Sequence, residues 1–360
     1  MSIWKYSDRF DQLPSRENRL SLGEGNTPLI RSRSLGPSLG LKNLWFKLES
    51  GNPTGSYKDR FGAAAVSHLI DSGAKFCLGT SSGNAGAALA AYSAVAGIPC
   101  ILAIVDTAPQ AKLRQMRAYG AELIKIRGFG TDADVTREVA DGLRALGREL
   151  GSPVQISAFS HSPKGMEGVE SIAFELGETG QKFDHLFSPS GGGGLTLAVA
   201  KGMKKIGAST AVHCVQPEGN DTIAGNLRSG EDRARSCKCF TTVSGLQVAT
   251  VIDGHNTLTA CRDSGGTGFL VTDDETFSWQ KRLALEEGIF TEPAGAIALA
   301  GAAQAIRSGE IGADEEVVCL VTGTGFKDDD SIGKMMGSAE VCQSVEDFDQ
   351  FKEKVVKSIR

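Results

Sequence analysis

A single lysine in a cluster of turn-forming residues is the side chain best placed for covalent chemistry. Lys58 follows the run Gly51-Asn52-Pro53-Thr54-Gly55-Ser56 and precedes a helical pattern. Ser56 and Asp59 have the spacing of a capping box, which would place Lys58 in the first helical turn. The positive end of the helix dipole disfavours a cation there and favours the neutral amine that a Schiff-base lysine needs. A surface lysine in a salt bridge is the alternative interpretation.

Two turns between a strand and a helix are rich in groups that bind anions. In Thr80-Ser81-Ser82-Gly83-Asn84-Ala85-Gly86, hydroxyls and backbone N–H groups converge on a helix N-terminus, which could bind a carboxylate or a phosphate. The other turn contains Gly191, Gly192, Gly193 and Gly194, and it would let the backbone approach a phosphate closely. It fits neither the dinucleotide-binding pattern nor the P-loop pattern. For both turns the alternative is a plain connection.

The fourth candidate is a hydroxyl at the end of a strand. An apolar run ends in the polar turn Thr322-Gly323-Thr324-Gly325, whose alternative is an ordinary strand-end turn. All four motifs fall at carboxyl ends of predicted strands, where ligands bind in open α/β sheets. A lysine, two anion-binding turns and a hydroxyl together suit a cofactor with an aldehyde, a phosphate and a ring nitrogen, which describes pyridoxal phosphate.

Short apolar or β-branched runs alternate with helical periods, which predicts βαβ units and an α/β fold with mainly parallel sheet. The predicted strands cover 44–48, 76–79, 101–105, 123–126, 154–156, 185–188, 211–215 and 317–322. The predicted helices cover 57–71, 84–96, 110–119, 133–150, 165–176, 195–205, 274–287 and 294–308. Residues 229–252 lack periodicity and are expected to form a surface excursion or lid, and closing helices are expected after Ser331.

Composition excludes several classes of function. The chain has 360 residues, and 38 Lys and Arg against 43 Asp and Glu give a net charge of −5, which argues against nucleic-acid and anionic-membrane partners. Of its eight cysteines only Cys237 and Cys239 are closely spaced, so no metal site is expected. The uncharged run 76–105 is interrupted by polar and turn residues, as in a buried segment of a soluble protein. No apolar signal sequence is present at the start, so the cytoplasm is the expected location.

The chain resembles the fold-type-II pyridoxal-phosphate enzymes, and threonine synthases in particular, over nearly its whole length. The resemblance rests on the motifs Gly23-Glu24-Gly25-Asn26-Thr27-Pro28-Leu29, Asn52-Pro53-Thr54-Gly55-Ser56-Tyr57-Lys58-Asp59-Arg60, Ser81-Ser82-Gly83-Asn84, Glu292-Pro293-Ala294-Gly295-Ala296, and Thr322-Gly323 with Gly325-Phe326-Lys327-Asp328. It implies the tryptophan-synthase-β-like α/β fold, with two domains that each have a mainly parallel sheet flanked by helices. Residues 1–57 and 161–360 would form a large cofactor-binding domain, and residues 58–160 a smaller mobile domain that closes over the substrate.

The resemblance also implies roles for individual residues. Lys58 would form the Schiff base and remove the Cα proton, Asn84 would contact the cofactor 3′-oxygen, and Thr322 would face the pyridine nitrogen. The glycines at 191–194 would bind the cofactor phosphate. The substrate would be bound by a carboxylate loop and one further serine, namely Ser81, Ser82, Gly83, Asn84, Ala85 and Ser160. The implied partners are a small amino-acid substrate and a second copy of the chain in a homodimer.

Three positions depart from the threonine synthase pattern. Ala85 stands where these enzymes usually have Thr, and Gly165 where they usually have an Arg that helps hold the substrate phosphate. The four glycines resemble the corresponding loop of serine/threonine dehydratases, and Lys164 or His161 could supply the missing cation. Two reactions therefore stay open. One is the threonine synthase reaction on O-phosphohomoserine, and the other is a β-elimination or β-replacement on serine, threonine or another 3-substituted amino acid. A non-catalytic cofactor- or phosphate-binding regulator is a more distant alternative.

Overall fold

A computed structural model describes residues 2–106, 108, 110–130, 132–338 and 341–359, which form two β-sheets surrounded by helices. The strands in this part of the chain are β1 Leu29–Arg31, β2 Asn43–Leu48, β3 Cys77–Thr80, β4 Cys100–Ile104, β5 Glu122–Lys125, β6 His185–Pro189, β7 Ala211–Pro217, β8 Gly268–Val271 and β9 Glu316–Val321. A six-stranded sheet has the order β1-β2-β9-β6-β7-β8 and is parallel except for β1. The other sheet, β3-β4-β5, is parallel throughout. The mainly parallel α/β architecture is as the sequence predicts.

The helices begin and end at residues that local signals explain. The α-helices in the described residues are α1 Leu35–Leu39, α2 Lys58–Asp71, α3 Asn84–Ala96, α4 Gln110–Ala118, α5 Ala133–Glu149, α6 Pro163–Glu178, α7 Gly194–Lys205, α8 Ala224–Arg228, α9 Gly254–Asp263, α10 Asp273–Glu287, α11 Pro293–Arg307, α12 Asp329–Met336 and α13 Phe348–Ser358. A capping box of Thr272 and Glu275 starts α10, and left-handed Gly97 ends α3. Among the residues described, every helix is too short or too polar to cross a bilayer.

The uncharged run of the sequence folds as β3, α3 and β4, inside the protein. Small residues let α3 pack closely on α2, since a Cβ at Gly62 would lie 3.0 Å from Cβ of Ala88 and 2.9 Å from Cδ2 of Tyr92. Tyr92 is fully buried at this contact. The absence of charge in this stretch therefore reflects burial in the protein core.

Most predicted elements match the structure; the differences are one missing strand, two added strands and the added helices α1, α8 and α9. The strand predicted at 154–156 does not form, because only an isolated bridge joins Gln155 to Gly79 and the chain turns at once, with Ala158 N–H donating to Ile156 O. The structure adds β1 and β8, which have three and four residues. Segments of that length contain too few alternations to show a strand period.

The segment 229–252 has no helix or strand, as the sequence predicts, but it is not a free surface excursion. Val243 is fully buried and Leu246 is 5% exposed. The hydroxyls of Thr241 and Thr242 both donate to the carboxylate of Asp273 at the start of α10. The segment is therefore anchored to the large sheet. The helices expected after Ser331 are present as α12 and α13.

A buried charge cluster fixes the start of α2. The guanidinium of Arg60, which is fully buried, donates to Glu49 Oε2 at 2.7 Å and to Glu175 Oε1 at 2.5 Å. Lys47 Nζ donates to the other oxygen of Glu175 at 2.6 Å. Two cations and two carboxylates thus neutralise one another, and they join α2 to the end of β2 and to α6.

Candidate active site

Lys58 is the first residue of α2, directly beside the carboxyl end of β9. Ser56 forms a β-bridge with Gly323, and the N–H of Tyr57 donates to the carbonyl of Thr322 at 3.0 Å. The chain before Lys58 therefore runs alongside the polar turn that ends β9. The structure brings together the lysine and the strand-end threonine, two motifs that are more than two hundred and sixty positions apart.

The start of α2 is not held by the predicted capping box. The hydroxyl of Ser56 accepts from the N–H of Lys58 at 3.3 Å. The carboxylate of Asp59 accepts instead from the N–H and the hydroxyl of Thr54, at 3.0 and 2.8 Å. Burial raises the pKa of Asp59 to about 6, although the Thr54 hydrogen bonds oppose this rise. The spacing suggested a reciprocal cap, but the loop before the helix offers Asp59 closer donors.

The amine of Lys58 has a neutral partner. Its Nζ hydrogen-bonds to the hydroxyl of Ser157 and lies 4.6 Å from the centroid of the Tyr57 ring. Lys58 forms no ion pair with any carboxylate of the described residues, so a surface lysine in a salt bridge does not fit this geometry.

The glycines at 191–194 form an open backbone turn between β6 and α7. Gly193 has a φ of +100°, and its carbonyl accepts from the hydroxyl of Thr257 at 3.1 Å. Val248 and Ile252 cover the other side, at 3.3 and 3.4 Å from where a Cβ of Gly192 would lie. The amides of all four glycines donate no hydrogen bond to any residue the structure describes. Free amides at the start of a helix are suited to a phosphate.

Thr322 presents a buried hydroxyl at the end of the large sheet. The residue is 3% exposed, and its Oγ1 has no hydrogen-bond partner among the described residues. A buried polar group without a partner costs free energy. A ring nitrogen or another acceptor at this place would satisfy it.

Asn84 at the start of α3 contacts a buried acid that the sequence did not single out as a site residue. Its Nδ2 donates to Oε1 of Glu292 at 2.7 Å. Glu292 is 2% exposed, and burial raises its pKa although Lys112 and Lys327 oppose the rise. A Cβ at Gly323 would lie 2.3 Å from Glu292 Oε1, so glycine there makes room for the contact. Because the carboxylate of Glu292 accepts from Nδ2, it fixes the orientation of the Asn84 side-chain amide.

The predicted carboxylate loop has free donors. The Ser81 hydroxyl accepts from Gly83 N–H at 3.2 Å, and the Ser82 hydroxyl accepts from Val105 N–H at 3.3 Å. The amides of Asn84 and Ala85, in the first turn of α3, donate to no residue in the described ranges. The loop therefore offers backbone donors at a helix start, and its role as the carboxylate site stays a prediction.

Ser160 lies close to the glycine turn through a buried aspartate. Asp253, which is 2% exposed, accepts from the amides of Phe159 and Ser160 at 2.7 and 3.0 Å. The N–H of Asp253 donates in turn to the carbonyl of Gly192 at 3.0 Å. Asp253 thus joins the segment before α6 to the glycine turn.

Gly165, which aligns with the phosphate-binding arginine of threonine synthases, packs against α2 in this structure. A Cβ at this position would lie 2.8 Å from Cε2 of Phe61 and 2.9 Å from Cβ of Ala65, both on α2. Gly165 is therefore a helix-packing residue, and an arginine there would collide with α2. Lys164 is exposed, and burial lowers the pKa of His161, so that His161 is a poor cation at neutral pH.

These residues fit pyridoxal phosphate. The glycine turn supplies free amides and no side chains, which a phosphate requires. The unpartnered hydroxyl of Thr322 and the amide of Asn84 are polar groups that a substituted pyridine ring can use. Lys58 supplies an amine without an acidic partner.

Comparisons with known proteins agree with this chemistry. The family described as pyridoxal-phosphate dependent enzyme matches residues 20–323. A threonine synthase of Methanosarcina acetivorans is 33% identical over 92% of this chain and 81% of its own length. A threonine synthase of Halalkalibacterium halodurans is 34% identical over 91% of both chains. Among solved structures, threonine deaminase isoform 2 of Solanum lycopersicum matches with a TM-score of 0.75 at 24% identity, covering 94% of both chains. Maize serine racemase matches with a TM-score of 0.73 at 23% identity, covering 96% of both.

Proposed function

Since the chain belongs to the family of pyridoxal-phosphate dependent enzymes, we propose that it eliminates or replaces a group at Cβ or Cγ of a small amino acid, with Lys58 as the residue that links the cofactor. The substrate that we propose first is O-phosphohomoserine, which with water gives threonine and phosphate. Two relatives at 33% and 34% identity that are named threonine synthase support this choice.

Four groups of this chain would hold the cofactor. The amides at 191–194 would bind its phosphate, Asn84 Nδ2 its 3′-oxygen, and Thr322 Oγ1 its ring nitrogen, with Lys58 Nζ at the aldehyde. When bound, pyridoxal phosphate supplies an aldehyde that links to amines and a ring that withdraws electrons from Cα. Glu292 accepts one N–H of the Asn84 amide, so the second N–H is available for the cofactor oxygen.

The unpartnered hydroxyl of Thr322 is the feature on which the reaction type depends. A hydroxyl is neutral and can donate to a ring nitrogen without transferring a proton. Thr322 would therefore leave the ring nitrogen unprotonated, and in this way it would favour elimination over transamination. A carboxylate at position 322 would instead favour a protonated ring nitrogen and transamination.

Lys58 acts as the base once it is free of the cofactor. Its amine faces the neutral hydroxyl of Ser157, and a neutral amine can take the proton from Cα of the substrate. The free amides of Asn84 and Ala85 would bind the substrate carboxylate and so orient Cα toward the lysine.

Side chains of α4, which packs beside the small sheet, contact segments that pack with the large sheet. Lys327 Nζ donates to Gln115 of α4 at 2.7 Å, and Lys112 of α4 hydrogen-bonds to Ser244. We propose that residues 58–160 move as a unit and make these contacts when substrate is bound. A homodimer in the cytoplasm stays a prediction, and light scattering of the purified protein measures the first part of it.

A β-elimination on serine or threonine is the second candidate. The methyl of Ala85, 8% exposed in the first turn of α3, cannot donate a hydrogen bond to a phosphorylated side chain. The run of four glycines is similar to the dehydratase loop. Both features suit a substrate with a smaller, less charged leaving group.

A substrate screen of the purified holoenzyme separates the candidates. O-phosphohomoserine, serine, threonine and O-substituted serines are each supplied, and phosphate, threonine and 2-oxo acid are measured. We expect phosphate and threonine from O-phosphohomoserine. Release of 2-oxo acid from serine or threonine, with no phosphate from O-phosphohomoserine, would favour the second candidate.

The role of Lys58 has a separate test. Lys58→Ala should abolish the visible absorbance band of the holoenzyme and all turnover. Lys204→Ala, which removes an exposed lysine at the end of α7, is the matched control and should retain both. A band that persists in Lys58→Ala would show that another lysine links the cofactor.

A further inference from the structure

The hydrogen-bond partner of the Lys58 amine is Ser157, a residue that lies outside every motif of the sequence. Ser157 follows the isolated bridge at Gln155 and precedes α6 by five residues. It is half-buried, and its hydroxyl is the hydrogen-bond partner of Lys58 Nζ. The two residues are 99 positions apart, so only the fold brings them together.

The backbone that carries Ser157 is held firmly on both sides. On one side, the N–H of Ile156 donates to the hydroxyl of Ser162 at 3.1 Å. On the other, Asp253 accepts from the amides of Phe159 and Ser160 at 2.7 and 3.0 Å. The hydroxyl of Ser157 is therefore presented from a fixed backbone.

Ser157 is also tied to the phosphate-binding turn. Its carbonyl oxygen lies 3.3 Å from where a Cβ of Gly194 would be, at the first residue of α7. Asp253 N–H donates to the carbonyl of Gly192, two residues earlier. The fold thus sets the distance between Ser157 and the glycine turn at 191–194.

We propose that Ser157 is a positioning residue that holds the amine of Lys58 toward the cofactor aldehyde and, during turnover, toward the substrate Cα. A hydroxyl both accepts and donates hydrogen bonds, so it can hold the amine in either protonation state. A carboxylate at the same place would favour the ammonium form, which is neither a nucleophile nor a base. This inference rests on the proposed role of Lys58.

The first test follows the apoprotein as it takes up its cofactor, without any turnover. The amine of Lys58 and the aldehyde condense with loss of one water, and the visible band measures the rate. Ser157→Ala should slow this step by about tenfold, because one hydrogen bond that orients the amine is lost. Ser157→Thr keeps the hydroxyl and should restore the rate. Ser209→Ala, an exposed serine between α7 and β7, is the control.

A cofactor analogue separates positioning from general damage to the site. Pyridoxine 5′-phosphate has the ring and the phosphate but no aldehyde, so its affinity does not depend on the lysine amine. Ser157→Ala should leave its Kd unchanged, lower kcat and leave KM near the wild-type value. Wild-type condensation in Ser157→Ala, or a loss of analogue binding as large as the loss of rate, would overturn the proposal. If the proposed function were wrong instead, the result would differ. The visible band would survive in Lys58→Ala, or the wild-type protein would condense normally with the cofactor but turn over none of the substrates.

Discussion

Replacing Gly193 by alanine tests whether the glycine turn is built for its backbone shape. From the sequence alone, the steric demand and the backbone strain are expected at Gly192, so that Gly192→Val sharply lowers cofactor affinity while the fold is kept. In the structure the strain lies one residue later, because Gly193 has a φ of +100° and Gly192 is not left-handed. The four glycines are therefore not equivalent.

Two terms set the size of the effect at Gly193. A non-glycine residue in left-handed conformation costs about 1–2 kcal/mol. The new Cβ would lie 2.3 Å from Oγ1 of Thr257 and 3.1 Å from Cδ1 of Ile223, and overpacking of this kind costs about 1–3 kcal/mol. Together they predict a loss of about 2–5 kcal/mol in the free energy of unfolding of the apoprotein.

Urea unfolding of the apoprotein measures this loss, and titration with pyridoxal phosphate measures the effect on cofactor affinity. Gly207→Ala is the matched control, because Gly207 has a φ of +67° and a Cβ added there would have no atom within 4 Å. It should show the conformational cost alone, about 1–2 kcal/mol. Gly192→Ala should cost less than Gly193→Ala. Equal losses in Gly193→Ala and Gly207→Ala would refute the claim that Thr257 closes the space beside the turn.

Two further predictions concern packing and pH. Gly165→Ala should destabilise the protein by about 1–3 kcal/mol in urea unfolding, because the new Cβ would lie 2.8 Å from Phe61. Gly142→Ala is the control: a Cβ there, on α5, would lie in open space, and the exchange should stabilise the protein by up to about 1 kcal/mol. A stabilised Gly165→Ala would contradict the packing role. The pKa of His213 in β7 is lowered from 6.5 to about 3, chiefly by burial and then by the charge of His185. At a pH between 3 and 6.5 the folded state therefore binds fewer protons at this residue than the unfolded state. Stability should therefore fall as pH decreases through 6.5, by about 2 kcal/mol at pH 5, and His213→Gln should remove this part of the pH dependence.

The fold class could be predicted because it depends on patterns that repeat along the whole chain. Alternating strands and helices appear at nearly the predicted positions. The solved structures confirm the fold type, and the matching family confirms the cofactor. The motifs that follow β2, β6 and β9 come together as expected, because these parallel strands of the six-stranded sheet bring their carboxyl ends to one edge. The loop after β3 belongs to the other sheet and meets this edge through the contact of Asn84 with Glu292. The roles of Lys58, Asn84 and Thr322 stay predictions for the experiments above.

The contacts that complete the site could not be predicted, because each joins distant parts of the chain. Glu292 and Asn84 are 208 positions apart, and Asp253 and Ser160 are 93 apart. No local pattern marks such a pair. Gly165 shows a different limit, since alignment with a motif gives a position but not the direction in which its Cβ points.

The buried cluster around Arg60 changes what a motif match means. Arg60 belongs to the same short motif as Lys58, yet its guanidinium contacts Glu49 and Glu175 and never faces the site. Removing one member of such a cluster strands an uncompensated charge in the interior, at about 3–5 kcal/mol. On this scaffold the arginine is therefore hard to lose by itself, whatever reaction the site performs. A match at Arg60 in another chain thus indicates the same buried cluster, and it carries no information about which amino acid is consumed.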